Sequence, residues 1–274
     1  MSAADQLLVV IDPVARRIDG ESVRIAKDVL CAGAQAKICW PEGVEEFSRA
    51  LARRGGRRLV VVGDDRALLR TVTLLQRECD VLGPALALVP VGTAPLVELA
   101  RSLGVPMGAV AAARAVLDGA PRRLDLLVDD SGDVVLGGLC IPAAPSSART
   151  SAPTVWGTCR SLVRTLVRAP VPTPVAAAVA HRLRVEADGV LLSDLDRPVA
   201  GVSLASGDGV AHVVVQPHAG ALVVRARARA VTVSVSGDGF RYRAGEVVAG
   251  PVRSRTWTVG TWTLTLPSPT PPVT

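Results

Sequence analysis

The sequence predicts an N-terminal Rossmann-like parallel α/β domain followed by a β-sandwich-like antiparallel domain, with a ligand cleft between them. Three observations carry this. Short runs that are apolar throughout alternate with amphipathic stretches of helical length over the first 125 residues, the pattern of strands buried on both faces of a parallel sheet. After Asp125 short alternating segments take over, separated by turn clusters, as in antiparallel β structure. The length, 274 residues, accommodates two such units.

In chain order, the β-type runs of the first part are Leu7–Ile11, Ala36–Trp40, Leu59–Val62 and Ala85–Val89. The helical stretches are Glu21–Ala34, Val44–Arg53, Arg66–Arg77, Leu96–Leu103 and Ala109–Leu117, the last stopped by Gly119 and Pro121. In the second part Val134–Cys140, Arg182–Glu186, Val199–Leu204, Ala211–Val215, Leu222–Arg225, Ala230–Val235 and Trp262–Leu266 read as strands. Asp129–Gly132 and Ser236–Gly239 are turns, a helix is expected at about Val155–Arg168, and the tail PSPTPPVT reads as extended and disordered. The boundaries expected are 1–125 for the nucleotide-binding α/β domain, 126–267 for the β-sandwich-like substrate domain and 268–274 for the tail.

Composition narrows the function. Apolar residues make up 49% of the chain but aromatics only 3%, so the cores are built from Val, Leu and Ala. Lys27 and Lys37 are the only lysines; arginine supplies the rest of a +6 net charge, which suits an anionic partner. Nucleic acid is not expected, because one Tyr and two Phe leave little for bases to stack on. The uncharged stretch Val81–Val97 contains three prolines and is no spanning helix. Five cysteines without a CxxC pair read as buried free thiols of a reducing, cytoplasmic compartment. Walker A, GxGxxG and GxSxG motifs are all absent from the sequence.

In an open parallel sheet, ligands bind beyond the carboxyl ends of the strands. There the sequence places Asp12–Pro13, Gly63–Asp64–Asp65 and Pro90–Val91–Gly92–Thr93. Glycine lets backbone approach a ligand closely, and each loop feeds a helix N-terminus, so the three loops together read as a phosphate cradle. Asp64 also reads as a helix cap, and the glycines as ordinary turns.

Six segments, in order, resemble the diacylglycerol kinase catalytic domain group, which includes sphingosine kinases and bacterial lipid kinases. VVIDP matches its opening strand and Asn-Pro. VVVGDDRALL matches its GGDGT loop, and PVGTAPLVELARSLGVP its PxGTxNDFARxLGxP segment. LDGAPRRLDLLVDD, Asp208–Gly209–Val210–Ala211–His212–Val213 and FRYRAGEVVAGPVRSRTW follow in register with later passages. The resemblance implies an ATP-dependent lipid kinase that uses Mg²⁺ and a lipid acceptor with a hydroxyl group. It implies nucleotide contacts at Asp12, Pro13, Gly63, Asp64, Arg66, Gly92, Thr93 and Glu98, and Asp208 as the base that deprotonates the hydroxyl, while within Gly-Asp-Gly Asp208 also reads as a plain turn residue.

The departures are as specific. Val62, Asp65 and Arg66 replace Gly, Gly and Thr of the loop, Val97 and Glu98 stand where Asn and Asp belong, and Ala244 replaces the Asp of an Asp-Gly-Glu turn. Asp65 is expected to set a negative charge facing the triphosphate. The reading is therefore a kinase weakened by a degenerate phosphate loop. Its alternatives are an inactive relative that binds nucleotide or lipid and, less favoured, an NAD kinase-like enzyme. The arginines at 49, 53, 54, 57 and 58, and the alternating sets Arg225/Arg227/Arg229 and Arg241/Arg243, read as solvated faces or as peripheral contacts to an anionic membrane.

Overall fold

A computed structural model describes residues 6–78, 85–143, 180–218 and 222–268. The helix expected at Val155–Arg168 and the tail from residue 269 lie outside the described residues. The first part runs β1 (Gln6–Ile11), α1 (Pro13–Ile18), α2 (Gly20–Gly33), β2 (Gln35–Cys39), α3 (Val44–Ala52), β3 (Arg58–Gly63), α4 (Asp65–Arg77), β4 (Ala87–Pro90), a 3₁₀ turn at Ala94–Val97, α5 (Glu98–Ser102) and α6 (Ala109–Asp118). Its four strands are parallel in the order β2-β1-β3-β4.

The apolar runs become the central strands because both faces of the sheet are covered. On one face Leu7, Val9, Ile11, Val60 and Val62 pack with Val23, Ala26 and Leu30 of α2 and Ala112, Ala113 and Val116 of α6. On the other, Leu8, Val10, Leu59 and Val61 meet Phe47 and Leu51 of α3 and Leu68 and Val72 of α4. Gly33 of α2 lies directly against the Leu117 side chain of α6.

The second part comprises β5 (Ala120–Asp129), β6 (Val134–Val135), β7 (Gly138–Ile141), β8 (Arg184–Ala187), β9 (Val190–Ser193), β10 (Val199–Gly207), β11 (Val210–Pro217), β12 (Val224–Ala228), β13 (Ala230–Ser234), β14 (Phe240–Ala244), β15 (Val247–Val252) and β16 (Ser254–Leu266). They form two six-stranded sheets, β12-β11-β10-β7-β14-β15 and β6-β5-β16-β13-β8-β9, which enclose Val185, Val213, Val231, Tyr242 and Trp257. The fold class is as the sequence reads.

Several elements differ from the sequence reading. The sequence reading has no strand at β5 and has β16 only over Trp262–Leu266; they run ten and thirteen residues, pairing antiparallel from Ala120↔Leu266 to Asp129↔Trp257. This ribbon serves two cores. Leu126 and Trp262 pack with the α/β helices, whereas the next residue, Leu127, and Trp257 face the sandwich interior. Leu86 then bridges Leu264 in parallel, tying the end of β16 to the edge of the parallel sheet. Of the described cysteines, Cys31, Cys39 and Cys140 are free thiols, but none is buried: Cys31 is exposed, and Cys39 and Cys140 are partly exposed. Arg54 is no surface grip: it is buried, and its Nη1 donates to Glu78 and to the Leu51 carbonyl.

Candidate active site

The strand-end loops meet. Asp12 N donates to Val62 O at 2.9 Å, and Val91 N to Gly63 O at 3.0 Å. A Cβ at Gly63 would lie 2.7 Å from Ala67 Cβ and 3.1 Å from Asp12 Cβ, and one at Gly92 would lie 3.5 Å from Asp64 Cβ. Glycine at position 63 is thus what lets β1, β3 and the start of α4 pack together. Asp12, Gly63, Asp64 and Gly92 form one cluster at the carboxyl edge of the sheet.

Much of this cluster is committed to holding the chain. Asp12 is 2% exposed; its Oδ1 accepts from Val14 N, capping α1 behind Pro13, while its Oδ2 accepts from Arg70 Nη1 at 3.1 Å. Asp64 caps α4 through Ala67 N at 2.9 Å. Thr93 is exposed, with no side-chain cap bond to the 3₁₀ turn it precedes. Glu98 is exposed and pairs with Arg101 at 3.5 Å.

Asp65 is tied to the backbone of α5. Its two oxygens accept from Leu99 N at 2.7 Å and Ala100 N at 2.9 Å, strapping the start of α5 to the start of α4. Burial pushes its carboxyl above the usual range; the two backbone N–H bonds oppose that shift, while the Asp64 and Glu98 carboxylates reinforce it. Asp65 is thus a structural strap that also borders the cavity between the two parts.

Beside the cluster lies a cavity of about 590 Å³ where the two parts meet. Leu69, Leu96 and Leu99 line it from the α/β side, and Val135, Leu136, Leu139 and Leu204 from the sandwich side. Its charged groups are Asp65, Arg66 and Glu98 on one side and Arg243 and Glu246 on the other. Of the residues chosen from sequence, Arg66 and Glu98 line this cavity. Asp12, Pro13, Gly63, Asp64, Gly92 and Thr93 are in the strand-end loops beside it and are not part of its lining.

Asp208 sits elsewhere. It and Gly209 have φ of 55° and 73° in the two-residue turn joining β10 to β11, the Asp-Gly signature of a hairpin turn. Its side chain is exposed, 3.9 Å from Arg227, and Gly209 N donates to Asp125. Sequence reasoning did not select Glu246, although the Ala244–Gly245–Glu246 turn was its signal. Arg70 had no local signal, because its partner is 58 positions away.

Parallel sheet, strand-end cluster and sandwich define a two-part protein with a cavity between its α/β unit and its β unit. Residues 6–128 match the family model of the diacylglycerol kinase catalytic domain. Two solved structures of a "putative diacylglycerol kinase" from Bacillus anthracis str. Sterne are similar over 97% of this chain, at 13% identity each. They have TM-scores of 0.71 and 0.73 and are covered over 98% and 96% of their own length. At that identity the likeness shows the fold alone. No curated protein sequence matches the chain.

Proposed function

We propose that this protein is an ATP-dependent lipid kinase that transfers the γ-phosphoryl group to a lipid hydroxyl, acting in the cytoplasm and peripherally at the membrane. The observation that carries the reading is the junction of a glycine-tight strand-end cluster with a chiefly apolar cavity. One accommodates phosphates through close backbone approach; the other accommodates an acyl-bearing acceptor. Among the described residues no helix is long and apolar enough to cross a membrane.

The residues present fit a nucleotide in part. Gly92 and the backbone beside it, Asp64 and Arg66 would hold ATP–Mg²⁺, which supplies the phosphoryl group when bound. Among the described residues no three His, Cys, Asp or Glu side chains are grouped to hold a metal; Mg²⁺ commonly relies on one or two carboxylates plus substrate phosphates. Arg66 is exposed at the cavity and offers a cation toward that charge. Two carboxylates are candidates for taking the hydroxyl proton. Glu246 lines the cavity from the sandwich side and is the better placed; Asp208 is accounted for by its turn.

A second reading, an inactive relative that binds nucleotide or lipid, is favoured by one observation: Asp65 occupies the amides of Leu99 and Ala100. Thermal shift with ATP–Mg²⁺, followed by radiolabelled phosphate transfer to diacylglycerol, ceramide and sphingosine micelles, separates the two. A ligand at 100 times Kd adds about 2.7 kcal/mol. Transfer abolished in Glu246→Gln and retained in Asp208→Asn supports the kinase with Glu246 as base, and the reverse pattern moves that role to Asp208. ATP stabilisation without transfer supports the inactive reading, and neither response sinks both.

A further inference from the structure

At the end of β10 opposite the Asp208 hairpin, the sandwich is open along one side among the described residues. β9 and β12 are the outermost strands of their respective sheets. Between them lies a second cavity of about 660 Å³, lined by Leu191, Leu192, Val199, Val215, Leu222 and Val224. Apolar side chains also stand proud of it: Leu222 is 90% exposed and Val190 62%, with Leu191 and Val223 exposed beside them.

The charge around this edge has one sign in excess. Arg184 is taken up by Glu186 and Asp194. Arg197 lines the cavity, Arg182 donates to the Leu195 carbonyl at its rim, and Arg225 follows Val224. No described carboxylate pairs with any of these three arginines, and Asp196 is the acid left nearby. A second copy docking the same edge against itself would face arginine with arginine, since a two-fold interface places like patches together. An apolar ridge bordered by arginine matches instead the boundary between acyl chains and anionic headgroups.

We propose that the β9–β12 edge is a docking surface for an anionic lipid bilayer. Leu222, Val223 and Val190 enter the boundary region while Arg182, Arg197 and Arg225 face the lipid phosphates. This deepens the lipid-kinase reading, on which it rests for its purpose, by stating where the protein meets its substrate's membrane. The residues involved are separate from the cavity between the two parts.

The test is co-sedimentation of the whole chain with vesicles of phosphatidylcholine alone and of phosphatidylcholine mixed with phosphatidylserine. The protein should bind the anionic vesicles and fall away with added salt. Leu222→Asp, at a side chain the fold barely touches, should weaken binding about tenfold or more. Arg197→Glu with Arg225→Glu should erase the preference for phosphatidylserine. Arg66→Ala, at the other cavity, should bind vesicles as the parent does. Failure of the parent to bind anionic vesicles, or equal binding by Leu222→Asp, overturns the proposal. So does a dimer in vesicle-free solution that Leu222→Asp dissociates, which would make the edge a self-interface. Vesicle binding without any ATP response overturns the kinase reading and leaves the docking surface standing.

Discussion

Arg70 Nη1 lies 3.1 Å from Asp12 Oδ2, and this contact explains how the fold tolerates a carboxylate at the end of its first strand. Where the family has Asn-Pro this chain has Asp-Pro, so a full charge sits at a position 2% exposed. Arg70, one turn beyond Arg66 on α4, supplies the counter-charge, and its guanidinium also lies 5.7 Å from the centre of the Phe47 ring.

Removing the cation alone should therefore be costly. Arg70→Met is expected to destabilise the protein by about 1–3 kcal/mol, below the 3–5 typical of a fully buried pair, because the Arg70 side chain is 34% exposed. Asp12→Asn should recover most of that loss in the Arg70→Met background, since Asn still caps α1. Urea denaturation of the two single variants and the double variant measures the coupling; strict additivity would refute it.

Asp65 makes a pH-dependent strap. Its carboxyl is raised by burial, so the folded state holds the proton more tightly than the unfolded chain does. Its contribution to stability is fully present below the unfolded value near 3.8 and declines as pH rises through the raised folded value. The stability difference between the parent and Asp65→Asn should fall over that acidic window. Asp65→Ala, which removes both acceptors, should cost about 1–3 kcal/mol and release the start of α5. Hydrogen exchange at Leu99 and Ala100 reads the release directly, and unchanged protection there would show the strap to be dispensable.

Tyr242 reports on the sandwich core. Desolvation pushes its phenol up to about 12, with the Asp129 carboxylate adding to the shift and Arg255 opposing it. The neutral phenol's stability is intact below the ordinary value of 10 and should be lost as pH rises from 10 to about 12. Tyr242→Phe keeps the edge-on contact with Trp257, 5.2 Å between ring centres, and gives up a 3.4 Å bond to Asp129. Denaturation followed across alkaline pH should show the parent's drop flattened in the variant.

What could be read from sequence follows from range. β1, β3 and β4 were legible because burial on both faces writes an unbroken apolar run, and Asp64 because its cap acts three residues away. β16 was recognised only at Trp262–Leu266. Its first half, Ser254–Val259, sets Ser254, Thr256 and Thr258 on one face and Arg255, Trp257 and Val259 on the other, so a charge interrupts the apolar face. The partners that give Asp12 and Asp65 their roles lie 58 and 34 positions away, and no local pattern encodes such distances. Asp208 carries a turn's signature and a base's chemistry in the same letters, so spacing alone left both open.

The paired strands β5 and β16 lead to the last prediction, that the α/β part and the sandwich unfold together. Leu126 and Leu127 are adjacent and both fully buried, yet they face different cores: Leu126 joins Leu68, Val72 and Trp262 of the α/β side, and Leu127 joins Val231 and Trp257 of the sandwich. Leu→Ala at either site should cost about 2–5 kcal/mol. Were the parts independent, with a boundary near residue 125, Leu126→Ala would lower only an α/β transition and Leu127→Ala only a sandwich transition. Because one ribbon, paired over the whole length of β5, supplies side chains to both cores, neither can lose its strand without disturbing the other. Calorimetry should show one cooperative transition, lowered by both variants, with calorimetric and van't Hoff enthalpies in agreement. Two resolved transitions, each sensitive to only one of the variants, would establish separate folding units joined at residue 125.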